Sequence, residues 1–381
     1  MISVCMIVRD EEESLPRCLE SIKGIADEII VVDTGSTDKS KEIALKYGAK
    51  IYDHPWEDNF SLHRNQAFGY ATKKFVFVID ADEEFFLIDK PEKFKKFLKK
   101  LPESYSTIML LMKDMAGGKE VMQFNSARLF RRGMVHYESR AHNQPVATGK
   151  GGIYEGGYLQ HYGYDLTPEK KEAKKNRILR MLGLRLEDNP EDWDAYFYIC
   201  QCYAVNDDID KSIEAGEEYL AHKDEITIKD SIFFTMVRQY MKKNDEAKAS
   251  EWLNMGLERK PEDLDLNIAM VEFGIWVRNS FLITKGATQY ILSYENMKQN
   301  PLEKGNRFVF SFNNDVLAFC HYWLAVARIE EGKRVLDNLK VLLPETSPKN
   351  QEKIWSDLKD FGEKLGEISF ETAKDNSAGA L

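Results

Sequence analysis

The sequence predicts an α/β domain with a mostly parallel sheet, followed by an all-α domain. Two observations carry this. Short β-rich runs alternate with helical patterns as far as about residue 80, the rhythm of βαβ units. After roughly residue 165 nearly continuous helical periodicity takes over, with few β-branched runs. The expected division is residues 1–165, residues 166–365, and a polar, Ala/Gly-rich tail over 366–381 that frays.

The first four strands are expected at Ile2–Val8, Glu28–Asp33, Lys50–Tyr52 and Phe75–Asp80. Their apolar residues are continuous rather than alternating, as in strands covered on both faces. Helices fall between them. Glu12–Lys23 carries Leu15, Cys18, Leu19 and Ile22 on one stripe, Asp38–Tyr47 begins behind a Ser/Thr/Asp cap cluster, and Phe60–Ala71 supplies the third. The basic stretch Lys90–Lys100 reads as a helix docked through Phe94, Phe97 and Leu98, its lysines in solvent rather than on a membrane. From about 105 to 162, short strand-like runs broken at Gly117-Gly118, Gly149, Gly151-Gly152 and Gly156-Gly157 are expected to complete the sheet and build an irregular wall.

In the helical half, Asp194–Tyr203 and then Ser212–Leu220 are echoed by Ile232–Tyr240 and then Asn244–Ser250 and Leu253–Pro261. The offset of about 36 residues, small residues early in the second helix and Pro261 behind it resemble tetratricopeptide (TPR) repeats, whose helix pairs stack into a concave surface. A third, degraded copy is expected around His321–Leu343. Such an array allows a homodimer through the helical half.

Composition excludes fibrous and disordered classes: of 381 residues, 43% are hydrophobic and 30% charged, with 11 Pro and 23 Gly. Lys and Arg total 53 against 63 Asp and Glu, a formal charge of −10, so nucleic acid is not an expected partner and any anionic ligand needs a local positive site. The apolar run Val4–Val8 is too short to span a bilayer and lacks the flanks of a signal peptide, so no membrane span and a cytoplasmic location are expected. Cys5, Cys18, Cys200, Cys202 and Cys320 form no C-x-x-C pair and are read as reduced; Cys200 and Cys202, two apart on a helix, point to different faces.

Ligands of open parallel sheets bind beyond the carboxyl ends of the strands, so the polar residues ending each run are the candidates. These are Arg9-Asp10-Glu11-Glu12, Asp33-Thr34-Gly35-Ser36-Thr37-Asp38 and Asp80-Ala81-Asp82-Glu83-Glu84. Asp-x-Asp also occurs at Asp192, Asp208 and Asp263, but only Asp80 and Asp82 follow an apolar strand, where alternate carboxylates can hold a hard cation bridging a diphosphate. The crowd of acids there calls for a compensating cation. Asp33 reads either as an acceptor for a nucleobase or as part of a helix cap with Gly35, Ser36 and Thr37. A pepsin-like Asp-Thr-Gly is excluded because it opens a helix behind a parallel strand and has no second copy. Arg64, in the second turn of a helix capped at Asp58–Ser61, could meet phosphate as a bidentate fork. His63 beside it reads as structural.

Together, Val4–Glu12, Arg17–Ser21, Glu28–Asp38, Trp56–Ser61 with Arg64-Asn65, and Ile79–Glu84 resemble family 2 glycosyltransferases of the GT-A fold, a Rossmann-like α/β architecture, over about residues 1–165. The subgroup most resembled joins that domain to TPR-like helices and glycosylates peptides. The resemblance implies that Val8, Arg9 and Glu11 line the nucleoside pocket, Asp33 accepts from uracil, Arg64 approaches the diphosphate and Asp80 meets the ribose. It further implies that Asp82 binds Mn2+ or Mg2+, and that His161 completes the metal shell, which would favour manganese. Where relatives commonly show His-Glu, this chain has His142-Asn143, leaving Glu138 and His142 as candidate bases and Glu155 as an outsider. The expected activity is an inverting, metal-dependent transfer of a sugar from a UDP-sugar to a peptide or protein. A glycan acceptor, and a catalytically silent helical scaffold, remain as alternatives at this point.

Overall fold

The computed structural model describes residues 1–163, 167–223, 227–299 and 314–342. The four expected strands are present as β1 (Ile2–Val8), β2 (Glu28–Asp33), β3 (Lys50–Asp53) and β4 (Phe75–Val78). They lie in the order β3-β2-β1-β4 and are all parallel, so their carboxyl ends share one edge. The sheet continues through β7 (Lys119–Arg131), antiparallel to β4, then β6 (Tyr105–Ala116), β10 (Lys150–His161) and the edge strand β5 (Glu83–Leu87).

Both faces of the parallel strands are covered, which explains their unbroken apolar sequence. One face packs on α1 (Leu15–Ile22), through Leu15, Cys18, Leu19 and Ile22, and on α4 (Pro91–Lys100), through Phe94 and Leu98. The other receives Ala67 of α3 (Phe60–Tyr70) with Phe130 and Tyr137. Each fully buried side chain of this size contributes about 1.5–3 kcal/mol, which fixes the orientation of the loops at the strand ends. The remaining α/β elements are α2 (Ser40–Lys46) and a small separate ribbon of β8 (Val135–Glu138) and β9 (Gln144–Ala147).

The glycine-rich region departs from expectation. Gly117 and Gly118, with φ of 57° and 76°, make the turn between β6 and β7, two strands much longer than the runs anticipated. The later glycines do not break β10. The strand passes through them with a register shift between Ile153 and Tyr158, and a Cβ on Gly157 would press on the Phe85 ring at 2.9 Å.

The helical half comprises α5 (Pro168–Asp188), α6 (Trp193–Val205), α7 (Ile209–His222), α8 (Ser231–Lys242), α9 (Glu246–Arg259), α10 (Leu264–Trp276), α11 (Ser280–Gln299) and α12 (Asn314–Leu342). The pairs α6/α7 and α8/α9 are the two copies read from the sequence. The next pair is α10/α11, whereas the expected copy at His321–Leu343 falls on the single helix α12, with Leu343 outside the described residues. The reason is burial: α10 is buried continuously from Leu264 to Val271, so it shows no amphipathic stripe to read. The close approach of α11 to α10 depends on Gly286, where a Cβ would lie 2.8 Å from the Asn267 carbonyl.

The two halves meet through a small apolar seam in which Met181 and Leu182 of α5 and Ala195 of α6 pack with Ala141, Trp56 and Phe60. Arg185, buried, donates to the Ala141 carbonyl at 3.1 Å and is paired with Asp192. Among the described residues no helix is long and apolar enough to cross a membrane, and all five cysteines are free. The expected tail lies outside the described residues.

Candidate functional site

The loops after β1 and β2 are laced together at the sheet edge. The Asp10 backbone, at φ 54°, donates to Ser36 Oγ at 3.0 Å, Thr37 N–H donates to Asp10 Oδ1 at 2.7 Å, and Glu11 N–H donates to Ser40 Oγ at 2.7 Å. This lacing places Arg9 and Asp33 on one cavity of about 410 Å³, which Gly35, Lys41, His54 and Trp56 also line. Val8 lies buried beneath it, in register with Asp33, and Glu11 flanks it, bonded to Ser14.

Asp33 is 1% exposed. Its Oδ1 accepts from the N–H groups of Gly35 and Ser36 at 3.0 and 2.9 Å, with Lys41 Nζ at 3.6 Å, but Oδ2 is buried without a hydrogen-bond partner. A buried carboxylate oxygen left unsatisfied beside a cavity is costly and suits a donor from a ligand. The helix-cap reading fails, because Gly35 and Ser36 lie in the loop ahead of α2, which starts at Ser40 behind Lys39, so Asp33 closes a local turn and caps no helix.

Asp80 and Asp82 have different surroundings. Asp80 accepts from Arg64 Nη2 at 2.9 and 3.1 Å and from Arg128 Nη1 at 3.4 Å, while Arg128 Nη2 donates to Glu83 at 2.5 Å. Burial works to raise the Asp80 pKa, yet the two guanidiniums more than offset it and hold the carboxyl at about 2. Burial dominates at Glu83, 2% exposed, and pushes it to about 7. Two corrections to the sequence reading follow. Arg64 turns to Asp80 rather than standing free for a phosphate, because α3 lays it against the end of β4. The crowded acids are compensated in part by Arg128, a residue of a long mixed strand that no motif marked.

Asp82 takes no part in that network. Its Oδ2 lies 3.3 Å from His161 Nε2, and His161 Nδ1 is held by Asp114 Oδ1 at 2.8 Å. Strand register delivers this arrangement: His161 of β10 pairs with Asp114 of β6 on one side and Glu83 of β5 on the other. Burial lowers the His161 pKa, but the two carboxylates overcome it and raise the imidazole to about 10. Gly163 keeps the ground beside the pair open, since a Cβ there would collide with both His161 Nε2 and Asp82 Oδ2. A histidine tethered through one nitrogen, with a carboxylate 3.3 Å from the other and Gly163 beside both, suits a divalent ion that displaces the ring proton and takes both atoms as neighbouring ligands. Among the described residues no group of three or more His, Cys, Asp or Glu forms a ready cage. Two protein ligands are what a cation shared with substrate phosphates needs. Asp114 and Gly163 were not singled out in the sequence; only the strand register reveals them.

The candidate bases lie elsewhere. Glu138, at the end of β8, is exposed and sits 2.9 Å from His136 Nε2. His142, with φ 51°, stacks on Tyr198 of α6 at 4.0 Å between centroids. Surrounding protein and the charges of Arg185, Lys229 and Lys174 push it down to about 4. Glu155 is exposed on β10. His63 is fully buried, bonded to Gln66 at 2.9 Å, and so structural.

An open, mostly parallel sheet with its polar loops gathered at one strand edge, followed by stacked helix pairs, defines a GT-A-like domain joined to an all-helical region. Residues 3–153 match the family model of glycosyl transferase family 2, and the helical region lies behind that match. A "TPR repeat-containing protein" of Synechococcus elongatus is 33% identical over 210 residues, covering 52% of this chain and 50% of that one. The SPbeta prophage-derived glycosyltransferase SunS of Bacillus subtilis is 27% identical over 206 residues, covering 51% and 48%. A crystal structure of S. aureus TarS aligns with a TM-score of 0.37 at 14% identity, covering 65% of this chain and 54% of that one. The chain spans about half the length of the curated relatives it matches.

Proposed function

We propose that this protein is a metal-dependent, inverting glycosyltransferase that moves a sugar from a UDP-sugar to a side chain of a peptide or protein. The observation carrying the proposal is the Asp82–His161 pair, tethered by Asp114 and kept open by Gly163, at the strand edge where the unpartnered Asp33 oxygen waits for a donor. In this reading Asp33 Oδ2 accepts the imide N–H of uracil, Val8, Arg9 and Glu11 line the nucleoside pocket, and Asp80, braced by Arg64, presents its open edge to the ribose. Asp82 and His161 would hold Mn2+ or Mg2+, which supplies positive charge to offset that developing on a departing diphosphate. The remaining rate enhancement comes from alignment of donor and acceptor.

Deprotonation of the acceptor falls to Glu138 or His142. An imidazole held near pKa 4 is a weak base at neutral pH, which favours Glu138. A thiol acceptor, ionising near pH 8.5, needs less help than a hydroxyl. The peptide acceptor rests on the resemblance of the sequence motifs to the peptide-glycosylating subgroup, together with the stacked helix pairs.

The test is calorimetric titration of the full chain with UDP, with and without Mn2+ or Mg2+, beside a screen of nucleotide sugars for slow donor hydrolysis. Tight binding of UDP only with the metal, and loss of hydrolysis in Asp82→Asn with unchanged thermal unfolding, are expected. Undiminished activity in EDTA, or full activity of that variant, overturns the reading.

A further inference from the structure

With Arg64 committed to Asp80, the positive charge for a ligand's phosphates must come from another source. Around the site Arg17 is paired with Glu84 at 3.8 Å, Arg128 with Glu83, Lys41 with Asp53, and Arg180 with Asp58. Two guanidiniums stand apart. Arg9, on the cavity wall, has among the described residues only Asp10 within ion-pair distance, at 3.9 Å, and that carboxylate already accepts from Thr37. Arg177 of α5 has no carboxylate within ion-pair distance among the described residues; its guanidinium lies 5.8 Å from the Phe60 ring centroid. Phe60 in turn meets Trp56 edge-on at 4.8 Å, and Trp56 lines the cavity beside Arg9.

The position of Arg177 is fixed by the seam. Its neighbour Ile178 packs among Trp56, Phe60, Met181 and Leu182, so α5 cannot rotate the arginine away without exposing that cluster. Arg177 is exposed, yet neighbouring protein desolvates it and Arg9 repels it, and together these outweigh the attraction of Glu11 and Asp58 and hold its pKa below the usual arginine range. Two like charges that the neighbouring carboxylates offset only in part gain when an anion arrives. Guanidinium forks match phosphate oxygens bidentately.

We propose that Arg177, reaching from the helical domain, and Arg9, from the end of β1, clamp the diphosphate of the nucleotide, so that the donor site is completed by the second domain of the same chain. The inference rests on the nucleotide-sugar reading above and adds a phosphate-binding residue outside the region that matches the family model. The helical domain then does more than present an acceptor: its docking creates half of the anion site.

The experiment is calorimetry on the full chain with UDP and with uridine, both with Mn2+, for the wild type, Arg177→Ala and Arg177→Lys, with thermal unfolding measured for each. Arg177→Ala is expected to weaken UDP by about 10-fold and to leave uridine unchanged, with Arg177→Lys in between because an ammonium keeps the charge but loses the fork. Unchanged UDP affinity in Arg177→Ala overturns the clamp while leaving the donor reading intact. Equal losses for UDP and uridine also overturn it, since the arginine would then shape the pocket rather than hold phosphate. A wild-type chain that ignores UDP overturns the donor reading and the clamp together.

Discussion

Asp80→Asn tests whether the Arg64–Asp80–Arg128–Glu83 network supports the fold. The substitution keeps the shape and removes one of two carboxylates that neutralise two guanidiniums 12% and 14% exposed. Arg64 already has Nε and Nη1 buried without hydrogen-bond partners, so among the described residues Asp80 is the carboxylate that compensates its charge, with the Tyr137 ring 5.4 Å away. Breaking a buried ion pair by removing one partner costs about 3–5 kcal/mol. The Asp80 side chain is 31% exposed, and water partly screens the loss, which places the expected cost near the low end, about 3 kcal/mol. With a urea slope of about 3 kcal/mol per M, the unfolding midpoint should fall by about 1 M. Adding Arg64→Met should restore part of that loss, because the uncompensated charge is then gone, and the cycle should show coupling of at least about 1 kcal/mol. A midpoint within about 0.2 M of wild type, or strictly additive losses, would refute the network as a stabilising element and return Arg64 to the set of cations free for ligand.

The remaining expectations concern the tether and the opposite edge of the sheet. Asp114→Asn, which cannot hold the His161 tautomer as a carboxylate does, should weaken Mn2+-dependent UDP binding by about 10–100-fold with uridine alone unaffected; an unchanged metal titration would remove Asp114 from the site. Glu28, 4% exposed at its side chain, is hydrogen-bonded by Ser3, the Thr72 N–H and Lys50, and although burial works to raise its pKa these hold it at about 2. A folded pKa below the unfolded value of about 4.3 gives stability that is present above pH 4.3 and lost as the pH falls toward 2, an amount of about 3 kcal/mol. Glu28→Gln should therefore lower the neutral-pH stability and flatten the acid limb of the stability curve, and an acid limb as steep as wild type would show that other carboxylates cause it.

How much of this was legible in the sequence depends on the range of the interaction. β1 and β2 were read to the residue, because a doubly covered strand must be apolar throughout and must stop where its polar loop begins. Asp33 and Asp82 were singled out by the same rule, as polar residues at strand ends, and the structure puts both at that edge. The sequence could not show which of two acids two residues apart faces arginines and which faces a histidine, since Arg128 and Asp114 arrive from strands whose register is set by a sheet crossing about half the domain. Arg64 was expected to approach a phosphate and instead pairs with Asp80, because helix periodicity fixes a face but not the partner across it. The α10/α11 pair escaped for the opposite reason. A helix buried on every side loses the pattern by which helices are recognised.

His142 is where those two kinds of information compete, and one substitution decides between them. The sequence offers it as a base in a segment that departs from the family's pattern, whereas the structure makes its ring the stacking partner of Tyr198 across the domain seam, where burial, helped by nearby cations, keeps it neutral. Phenylalanine preserves the stack and abolishes the basic nitrogen. It sits less comfortably at φ 51°, where histidine is among the better-tolerated residues, so a small loss of thermal stability is expected whichever role is correct and is not the readout. The readout is kcat. If His142 serves the seam, His142→Phe should retain kcat within about 2-fold while His142→Ala, which keeps the strain of φ 51° and loses a contact worth about 0.5–1.5 kcal/mol, is the less stable of the two. If it takes the acceptor proton, both variants should lose about 100-fold or more, with UDP affinity unchanged. A 100-fold loss in the phenylalanine variant would place the base on the seam itself, and would mean that docking of the helical domain sets the chemistry as well as the phosphate site.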